Sequence, residues 1–529
     1  MKRTSRSVIR FVLALCCALG MLSAMAQQQG GRLVVGEPSE PDTLDSACSF
    51  STWADNQFKH LFDTLVFWGP DLDIHPHLAQ SWEINDDFTS FTFTLREDVV
   101  FHDGTPFNAE AVKFNLDRLG VDECTIGRTA VNLLGSNYTG TEVLDEHTVR
   151  IDFEVPQSAF LINASYLYMA SPTAVMERGD AFGRDPVGSG PFMFKEWVEG
   201  SSVTLERFDA YDWPPAYVGR SGPAHLDEIT WIFIPEGVTR AASLQVGETQ
   251  FVNRMDAVDY FDLERTGGVE TLRVATPGVP PGWNFNVERS PTDDVNVRRA
   301  IGMALDRATA ARILTDDFFF VAYGPITSST FGYWDGVEAY FPYDPDGAAA
   351  LLDEAGWAVG SDGIRTKDGE RMTVELVSVG SPYWRETWEL FQAQLRDIGV
   401  ELTISIPESG VVFQECTTGV RNICALAYGI RDPSGMRILW GSENIGTGFN
   451  WSRFNSPEAD RLLIAGETTA DPEDRAAVYA DLQRLIMDEA IWFPVYERTV
   501  GYGFDPSVTG FDILPSGVHV YYYDTWLDR

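Results

Sequence analysis

The stretch from Leu78 to Leu119, LAQSWEINDDFTSFTFTLREDVVFHDGTPFNAEAVKFNLDRL, decides the fold. Apolar residues alternate with threonine through FTFTL, which predicts a strand with one buried face. Val99 and Phe101 repeat the alternation before an Asp-Gly turn. Asn108 can then cap a helix whose apolar residues recur in steps of three and four. The stretch therefore predicts strand, strand and helix in succession.

The pair His102-Asp103 lies in this stretch, at a strand edge beside the turn. Acid–base catalysis would need a nucleophile or a second reacting group within reach, and the local sequence offers neither. His75-Pro-His77 lacks the further ligands of a metal site, and the LAQSW that follows predicts a loop entering a helix. We interpret both histidine motifs as scaffold, and we expect no catalytic residue, metal site or cofactor.

The same stretch resembles the hallmark segment of bacterial solute-binding protein family 5, the receptors of peptide and nickel ABC importers. Later segments resemble that family in the right order, namely DPVGSGPFMFKEW, FNVERSPTDDVNVRRAIGMALDR, YDPDGAAALLDEAGW, FNSPEADRLL and DPEDRAAVYADLQRLIMDEAIWFPVY. The resemblance spans nearly the whole chain. It implies an α/β, bilobed fold of the periplasmic-binding-protein type II kind, with two crossings between the lobes and an extra α+β subdomain.

The residues of the second half favour the same fold class. TVELVSVG and VELTISIP read as strands on either side of a helix from Trp384 to Ile398, which predicts a parallel pair with a crossover. Asp294, Asp344 and Asp471 precede amphipathic helices as capping residues. From the resemblance we expect lobe I at residues 32–66, 187–283 and 497–529, the extra subdomain at 67–186, and lobe II at 284–496.

The first 26 residues read as a secretory signal peptide. Four basic residues precede an apolar run from Phe11 to Leu22, which ends at Ala24-Met25-Ala26. A membrane anchor is the alternative, but the run is shorter than the roughly 20 residues that span a bilayer. We therefore expect export to the periplasm and a soluble protein after cleavage of residues 1–26.

Charge and cysteine content fit an exported protein. The chain has 78 acidic and 39 basic residues, a net charge of −39, which opposes binding to nucleic acid or anionic membranes. Two of the six cysteines fall in the predicted signal peptide. The other four could form two disulfides in an oxidising compartment. The short separation favours Cys416 with Cys424, which leaves Cys48 with Cys124, although spacing alone leaves the connectivity open.

The resemblance implies a function in transport. A solute would be captured between two lobes that close by hinge bending and delivered to an ABC permease complex in the inner membrane. Closure requires a solute that contacts both lobes, so candidates come from each. We expect a monomer that binds its solute through Glu37, Trp53, Ser189, Trp283, Asn284, Tyr383, Trp384, Tyr428, Arg431, Asp432, Asn450 and Trp451.

The segment CALAYGIRDPSGM departs from the peptide receptors that this chain resembles. They carry an aspartate four residues before the proline, where it pairs with the α-amino group of the ligand, and this chain has Gly429 there. Asp432 or Glu37 could replace that carboxylate, and Arg431 could hold a carboxylate, a phosphate or a sugar hydroxyl. We expect a peptide or peptide-like solute; an oligosaccharide or an opine-like sugar conjugate is the alternative.

Two further functions compete with solute transport. An exported hydrolase would need a nucleophile with a base, or paired carboxylates with a metal, in one cleft. Gly188-Ser189-Gly190 does not match the G-x-S-x-G pattern, and the chain has only seven histidines. A sensor subunit that presents its bound solute to a membrane receptor kinase would share the fold and the binding chemistry, so only its partner would distinguish it.

Overall fold

A computed structural model describes residues 30–49, 51, 54–120, 133–134, 137–380, 383–469 and 471–528. The predicted signal peptide, Trp53 and Cys124 lie outside these residues. In the part of the chain that the structure describes, no helix combines the length and the apolar character needed to cross a membrane.

The strands fall into a few sheets. In chain order they are β1 (Arg32–Glu37), β2 (Val66–Trp68), β3 (Ile74–Pro76), β4 (Ala79–Ile84), β5 (Ser90–Leu95), β6 (Tyr138–Asp145), β7 (Thr148–Phe153), β8 (Phe192–Val198), β9 (Ser202–Arg207), β10 (Glu228–Phe233), β11 (Phe251–Met255), β12 (Glu270–Ala275), β13 (Val279–Phe285), β14 (Phe320–Val321), β15 (Ala358–Val359), β16 (Arg365–Lys367), β17 (Glu370–Arg371), β18 (Thr373–Val377), β19 (Glu401–Ser405), β20 (Ile423–Tyr428), β21 (Trp492–Pro494), β22 (Tyr496–Glu497), β23 (Thr499–Phe504), β24 (Val508–Thr509), β25 (Asp512–Ile513), β26 (Val520–Tyr521) and β27 (Trp526–Leu527).

The α-helices alternate with these strands. In chain order they are α1 (Asp55–Leu61), α2 (Ala109–Asp117), α3 (Phe160–Ala164), α4 (Pro172–Arg178), α5 (Gly237–Gln245), α6 (Ala257–Thr266), α7 (Val295–Met303), α8 (Arg307–Thr315), α9 (Pro345–Glu354), α10 (Trp384–Asp397), α11 (Ser409–Thr418), α12 (Met436–Trp440), α13 (Pro457–Thr468) and α14 (Pro472–Asp488). Short 3₁₀ turns lie at Arg118–Gly120, Gly179–Arg184, Asp335–Ala339, Pro433–Gly435 and Ser442–Asn444.

A seven-stranded sheet in the order β12-β23-β11-β1-β10-β9-β8 forms the centre of the first lobe, lobe I. Strand β1 is parallel to β10 on one side and to β11 on the other, whereas β9 and β23 are antiparallel to their neighbours. Leu33 and Val35, on one face of β1, are fully buried, and Val34 on the opposite face is partly buried.

A five-stranded sheet in the order β19-β18-β20-β13-β21 forms the centre of the second lobe, lobe II. The predicted parallel pair is confirmed: β18 and β19 run parallel and are joined through α10. Strand β13 pairs in this sheet along Gly282–Phe285, so the chain leaves the first sheet after Ala275 and returns to it between β21 and β23. The lobe limits given above stay a prediction.

The extra subdomain is a four-stranded antiparallel sheet, β4-β5-β7-β6, packed on α2. The predicted strand is β5, and Asn108 caps α2 by accepting a hydrogen bond from the N–H of Ala111 at 3.0 Å. Two local predictions were wrong. Around Val99 and Phe101 only one bridge forms, Val100 with Pro106, and LAQSW belongs to β4 because it pairs with β5 instead of entering a helix.

His102 connects this subdomain to lobe I. Its Nε2–H donates to the carbonyl of Gly190 at 2.9 Å, and the N–H of Gly188 donates to its Nδ1 at 3.3 Å. Both glycines lie against the end of α1, where a Cβ would overlap the carbonyl oxygens of Leu61 and His60. Burial lowers the pKa of His102 to about 4, so the ring stays neutral and serves as a structural link.

A disulfide joins Cys416 of α11 to Cys424 of β20 beneath the surface of lobe II. Cys48 is also disulfide-bonded. Its expected partner, Cys124, lies outside the described residues.

We expect the double variant Cys416→Ala, Cys424→Ala to lose about 2 to 4 kcal/mol of unfolding free energy, because the disulfide restricts the unfolded chain. Urea denaturation monitored by tryptophan fluorescence would measure this loss. An unchanged midpoint would contradict the prediction.

Candidate functional site

The carboxyl ends of three parallel strands meet at one edge of the lobe I sheet. Strands β10 and β11 lie on opposite sides of β1, so this edge contains a topological switch point, where open α/β sheets bind ligands. Glu37 ends β1, and Asn253 and Arg254 lie near the end of β11. Arg254 has φ of 55° beside a register shift, so the bulge sets the direction of its side chain.

Helix α1 places charged groups next to this edge. All seven of its residues are buried, including Asp55 and Lys59, which lie one turn apart. Buried charges persist in a fold only when they are paired or hydrogen-bonded. Asp55 accepts from Tyr168 Oη at 3.3 Å and lies 3.4 Å from His519 Nε2. Lys59 donates to the carbonyl of Ser165 at 3.3 Å.

The two lobes meet at a cation–π contact. Arg431 follows β20 in lobe II, and its guanidinium carbon lies 4.4 Å from the ring centre of Tyr166, which falls in the predicted extra subdomain and belongs to the hydrophobic core that this subdomain shares with lobe I. Lys59 Nζ lies 4.1 Å from the centre of the same ring. Two cations from different lobes therefore share one tyrosine ring, an arrangement that aromatic quadrupoles favour.

The charges of this contact influence one another. Burial raises the pKa of Asp55, while Lys59, Arg431 and Arg254 act in the opposite direction. Burial also lowers the pKa of Lys59 to about 8, against the attraction of Asp55. Cations from three separate elements surround this one carboxylate, so the contact favours an additional anionic group.

A small cavity lies beside this contact in lobe I. Its lining combines hydroxyl groups with the carboxylate of Asp55 and aromatic rings: Ser46, Ser49, Ser51, Asp55, Phe58, Leu133 and Tyr166. Serine hydroxyls both donate and accept hydrogen bonds, and they suit amide or carboxylate groups of a solute.

Glu37 lies behind the contact and is only 1% exposed. Its Oε1 accepts hydrogen bonds from the side-chain amides of Asn56, at 2.7 Å, and Asn253. Among the described residues Oε2 has no hydrogen-bond partner. Burial raises the pKa of Glu37 to about 7, although Arg254 and Arg240 favour the ionised form.

Other predicted residues lie on lobe II near the contact or in the aromatic cluster beside it. Tyr383 precedes α10. Burial raises the pKa of its phenol, and the negative charge of Asp256 of lobe I raises it further, so Tyr383 also faces lobe I. Trp384 is partly exposed at the start of α10. Tyr428 packs on Phe449 at 5.4 Å between ring centres, and Phe449 packs on Trp451 at 5.3 Å.

The remaining predicted residues are buried within one lobe. Trp283 packs on Trp388, Phe391 and Phe493 in the lobe II core, with Asn284 beside it in β13. Both oxygens of Asp432 accept hydrogen bonds from Arg475, at 2.6 and 2.8 Å, and Asn450 donates to the carbonyls of Gly441 and Phe454. The structure does not bring these four residues to the contact between the lobes.

Ser189 lies in a buried polar cluster of lobe I. Its Oγ donates to Asp63 at 3.0 Å, and His77 Nε2 lies 3.1 Å from the same carboxylate. The serine and the histidine both bind the aspartate and not each other, whereas a nucleophile must bond to its base. All three side chains are nearly inaccessible. This arrangement does not favour the hydrolase hypothesis. His75, the other half of the suspected metal pair, bonds instead to Asp71.

Sequence reasoning missed most of the charged contact. Asp55 and Lys59 carried only a weak signal: their spacing of one turn is visible, but the helix is mostly polar in sequence, with Phe58 and Leu61 as its apolar residues, so its burial is not. Tyr166, Asn253, Arg254 and His519 carry no local signal, since they come from distant segments that only the fold brings together.

Comparison with known proteins places this geometry in a family. Residues 73–444 match "Bacterial extracellular solute-binding proteins, family 5 Middle". The glutathione-binding protein GsiB of Salmonella typhimurium is 29% identical over 516 residues, which cover 95% of each chain. HbpA2 from Haemophilus parasuis superimposes with a TM-score of 0.85 at 22% identity, over 94% of this chain and all of the other. AppA from Bacillus subtilis, solved with a nonapeptide, gives 0.65 at 24%, over 95% and 100%.

Two lobes joined by a double crossing, with charged groups at their contact, define a bilobed solute receptor. The chain belongs to the bacterial extracellular solute-binding proteins, family 5. Proteins of this family serve as substrate-binding subunits of ABC importers, and this chain is a substrate-binding protein of that kind.

We expect Asp432→Ala to lower the unfolding free energy by about 3 to 5 kcal/mol, because Arg475 would stay buried without its carboxylate. The exposed pair of Asp481 with Arg484 supplies the control: Asp481→Ala should change stability by less than about 0.5 kcal/mol. Chemical denaturation measures both. If Asp432→Ala kept full stability but lost solute binding, Asp432 would be a ligand residue.

Proposed function

We propose that the protein captures a small peptide-like solute that carries at least one carboxylate, with glutathione as the leading candidate, and delivers it to an ABC permease in the inner membrane. The observation that carries this proposal is the meeting of Lys59, Arg254 and Arg431 around Asp55 where the two lobes touch. The resemblance to a glutathione-binding protein over 95% of both chains supports it.

The chemistry of glutathione matches these groups. It carries two carboxylates, one ammonium and two amides. The planar fork of Arg431 suits a carboxylate, and Lys59 supplies a compact positive charge from the opposite lobe. Asp55, which already accepts a hydrogen bond from Tyr168, supplies the carboxylate for the ammonium. A solute held in this way contacts both lobes, which is the condition for stabilising their closed arrangement.

The same proposal covers the protein's wider role. It acts in the periplasm as a monomer, releases its solute chemically unchanged and is not an enzyme. Tyr383, Trp384 and Tyr428 stay predicted solute contacts because they lie on lobe II near Arg431 or the neighbouring aromatic cluster. Glu37 acts from behind the site.

A sugar conjugate is the second candidate. Phe413, Tyr428, Phe449 and Trp451 form an aromatic cluster on lobe II, and Phe413 is 41% exposed. Exposed rings of this kind can stack on sugar faces.

Thermal unfolding with added solutes tests the choice. A solute that binds the folded state raises its stability by RT ln(1 + [L]/Kd). We expect glutathione to raise Tm and its diethyl ester, whose carboxylates are masked, to leave Tm unchanged. Trialanine and a glucose–glutamate conjugate complete the panel. No shift with glutathione together with a shift from the conjugate would favour the second candidate.

We expect Arg431→Ala to weaken glutathione binding by about 1.5 to 3 kcal/mol, the range for a hydrogen bond to a charged group. Isothermal titration calorimetry measures the change. Arg461→Ala is the matched control, since Arg461 is exposed on α13 and pairs only with its helix neighbour Glu458 among the described residues. An unchanged Kd for Arg431→Ala would remove Arg431 from the site.

We expect Gly429→Asp to create binding of trialanine, because a Cβ at Gly429 meets no heavy atom within 4 Å and the new carboxylate could pair with a free α-amino group. Gly429→Asn has the same shape without the charge and should not bind trialanine. Equal binding by both variants, measured by calorimetry, would contradict a charge-based effect.

A further inference from the structure

Glu37 connects three elements of lobe I directly behind the solute site. It ends β1, and its Oε1 accepts from Asn56 of α1 and Asn253 of β11. Asp55 directly precedes Asn56, and Arg254 directly follows Asn253. Both are charged groups of the contact between the lobes. One carboxyl oxygen therefore fixes the spacing of two charged groups of the site.

The groups around Glu37 come from every element packed against it. Arg254 lies on β11 and Arg240 on α5, and both attract the ionised carboxylate. Arg240 is held by four carbonyls, those of Ile234, Pro235, Asn253 and Arg254. Tyr502 of β23 and Tyr522, just after β26, also face Glu37, and burial raises the pKa of both phenols.

His60 of α1 is the nearest imidazole on these elements. Its Nε2 accepts from the N–H of Tyr522 at 3.0 Å, and burial lowers its pKa to about 3, so it remains neutral. The tyrosines remain neutral and the arginines remain charged at physiological pH. Burial brings the pKa of Glu37 itself to about 7, between that of the neutral imidazole and those of the charged arginines.

We propose that Glu37 couples solute binding to proton uptake: when a carboxylate-bearing solute binds beside Arg254, Glu37 takes up one proton from solvent and becomes neutral. This inference rests on the proposed function, because it requires an anionic solute in the site. Glu37 is a positioning residue in this scheme, since it acts through Asn56, Asn253 and Arg254 and does not touch the solute.

The geometry allows the proton to be added without disturbing the site. Both amides donate to Oε1, which remains a carbonyl acceptor in the protonated acid. The proton goes to Oε2, which has no hydrogen-bond partner among the described residues. The neutral acid therefore keeps α1 and β11 in place, while the positive charge of Arg254 is no longer offset by a negative charge on Glu37.

The sign of the pH dependence follows from like-charge repulsion. A bound carboxylate disfavours the ionised form of Glu37 and raises its pKa further. Binding is then favoured as the pH falls through about 7, the pKa of Glu37 in the unbound protein. A rise of about one pKa unit on binding corresponds to an about tenfold gain in affinity from pH above that window to pH below it.

Lys59 also takes up protons on binding an anion, but at higher pH, since its pKa is about 8. If the solute raises each pKa by about one unit, Glu37 contributes about 0.4 proton at pH 7 and Lys59 about 0.1. Proton uptake at pH 7 therefore separates the two residues.

Calorimetric titration of the full-length protein with glutathione at pH 7, in phosphate and in imidazole buffers, measures this number from the buffer dependence of the binding heat. We expect the wild type to take up about 0.4 proton more than Glu37→Gln, which is the share of Glu37. A double variant, Lys59→Arg with His519→Asn, removes the Lys59 ammonium and the imidazole beside Asp55. This variant should bind glutathione more weakly, but it should keep the uptake of about 0.4 proton that belongs to Glu37.

Each outcome decides a different point. Glutathione binding with no proton uptake in the wild type overturns the role of Glu37 and leaves the proposed function standing. Equal proton uptake by the wild type and by Glu37→Gln also overturns the role of Glu37 and leaves the proposed function standing. If Glu37→Gln does not fold, loss of uptake in the double variant overturns the role. Absence of any glutathione binding refutes glutathione as the solute, and this inference with it.

Discussion

The double crossing of the chain between its two sheets is the constraint on which the rest of the structure depends. One segment leaves β12 for β13, and the other returns from β21 to β23. A loop of lobe II bonds to both: the N–H of Thr327 donates to the carbonyl of Gly278 at 2.8 Å, and Ser328 donates to the carboxylate of Glu497 through its N–H and Oγ, at 2.6 and 2.7 Å. The lobes are therefore connected at one side, and any solute that touches both lobes must lie at the contact between them.

The charged groups at the contact between the lobes also explain why a solute would be bound there. Burying Lys59, Asp55 and Arg431 costs solvation energy that their mutual pairing offsets only in part. A solute with charges of its own could complete the pairing. The polar groups are held in advance by helix α1, β11 and the carboxyl of Glu37, so little ordering is left for the solute to bring about.

Local signals predicted much of the fold. The alternation in FTFTL, the cap at Asn108 and the strands around α10 were correct because strand period, capping and crossover length depend on neighbouring residues. The same kind of reasoning failed at LAQSW and at Val99 to Phe101. In the first case the chain pairs with β5, and in the second it is left with a single bridge. A tertiary pairing overrode the local preference in the first place, and the lack of a further pairing partner left the strand preference unrealised in the second.

The fold class, the family and the unusual Gly429 and Arg431 are visible in the chain alone, as the order of recognisable segments and as departures from them. Which polar residues meet depends on how the chain folds. In the sequence Asp432 looked as suitable a solute contact as Arg431. In the structure its carboxylate is paired with Arg475, which lies 43 residues further along the chain. Arg254, Tyr166 and His519 lie at the contact between the lobes although they come from segments far apart along the chain. Burial and pairing energies depend on distances in space, which residue type and spacing along the chain do not specify.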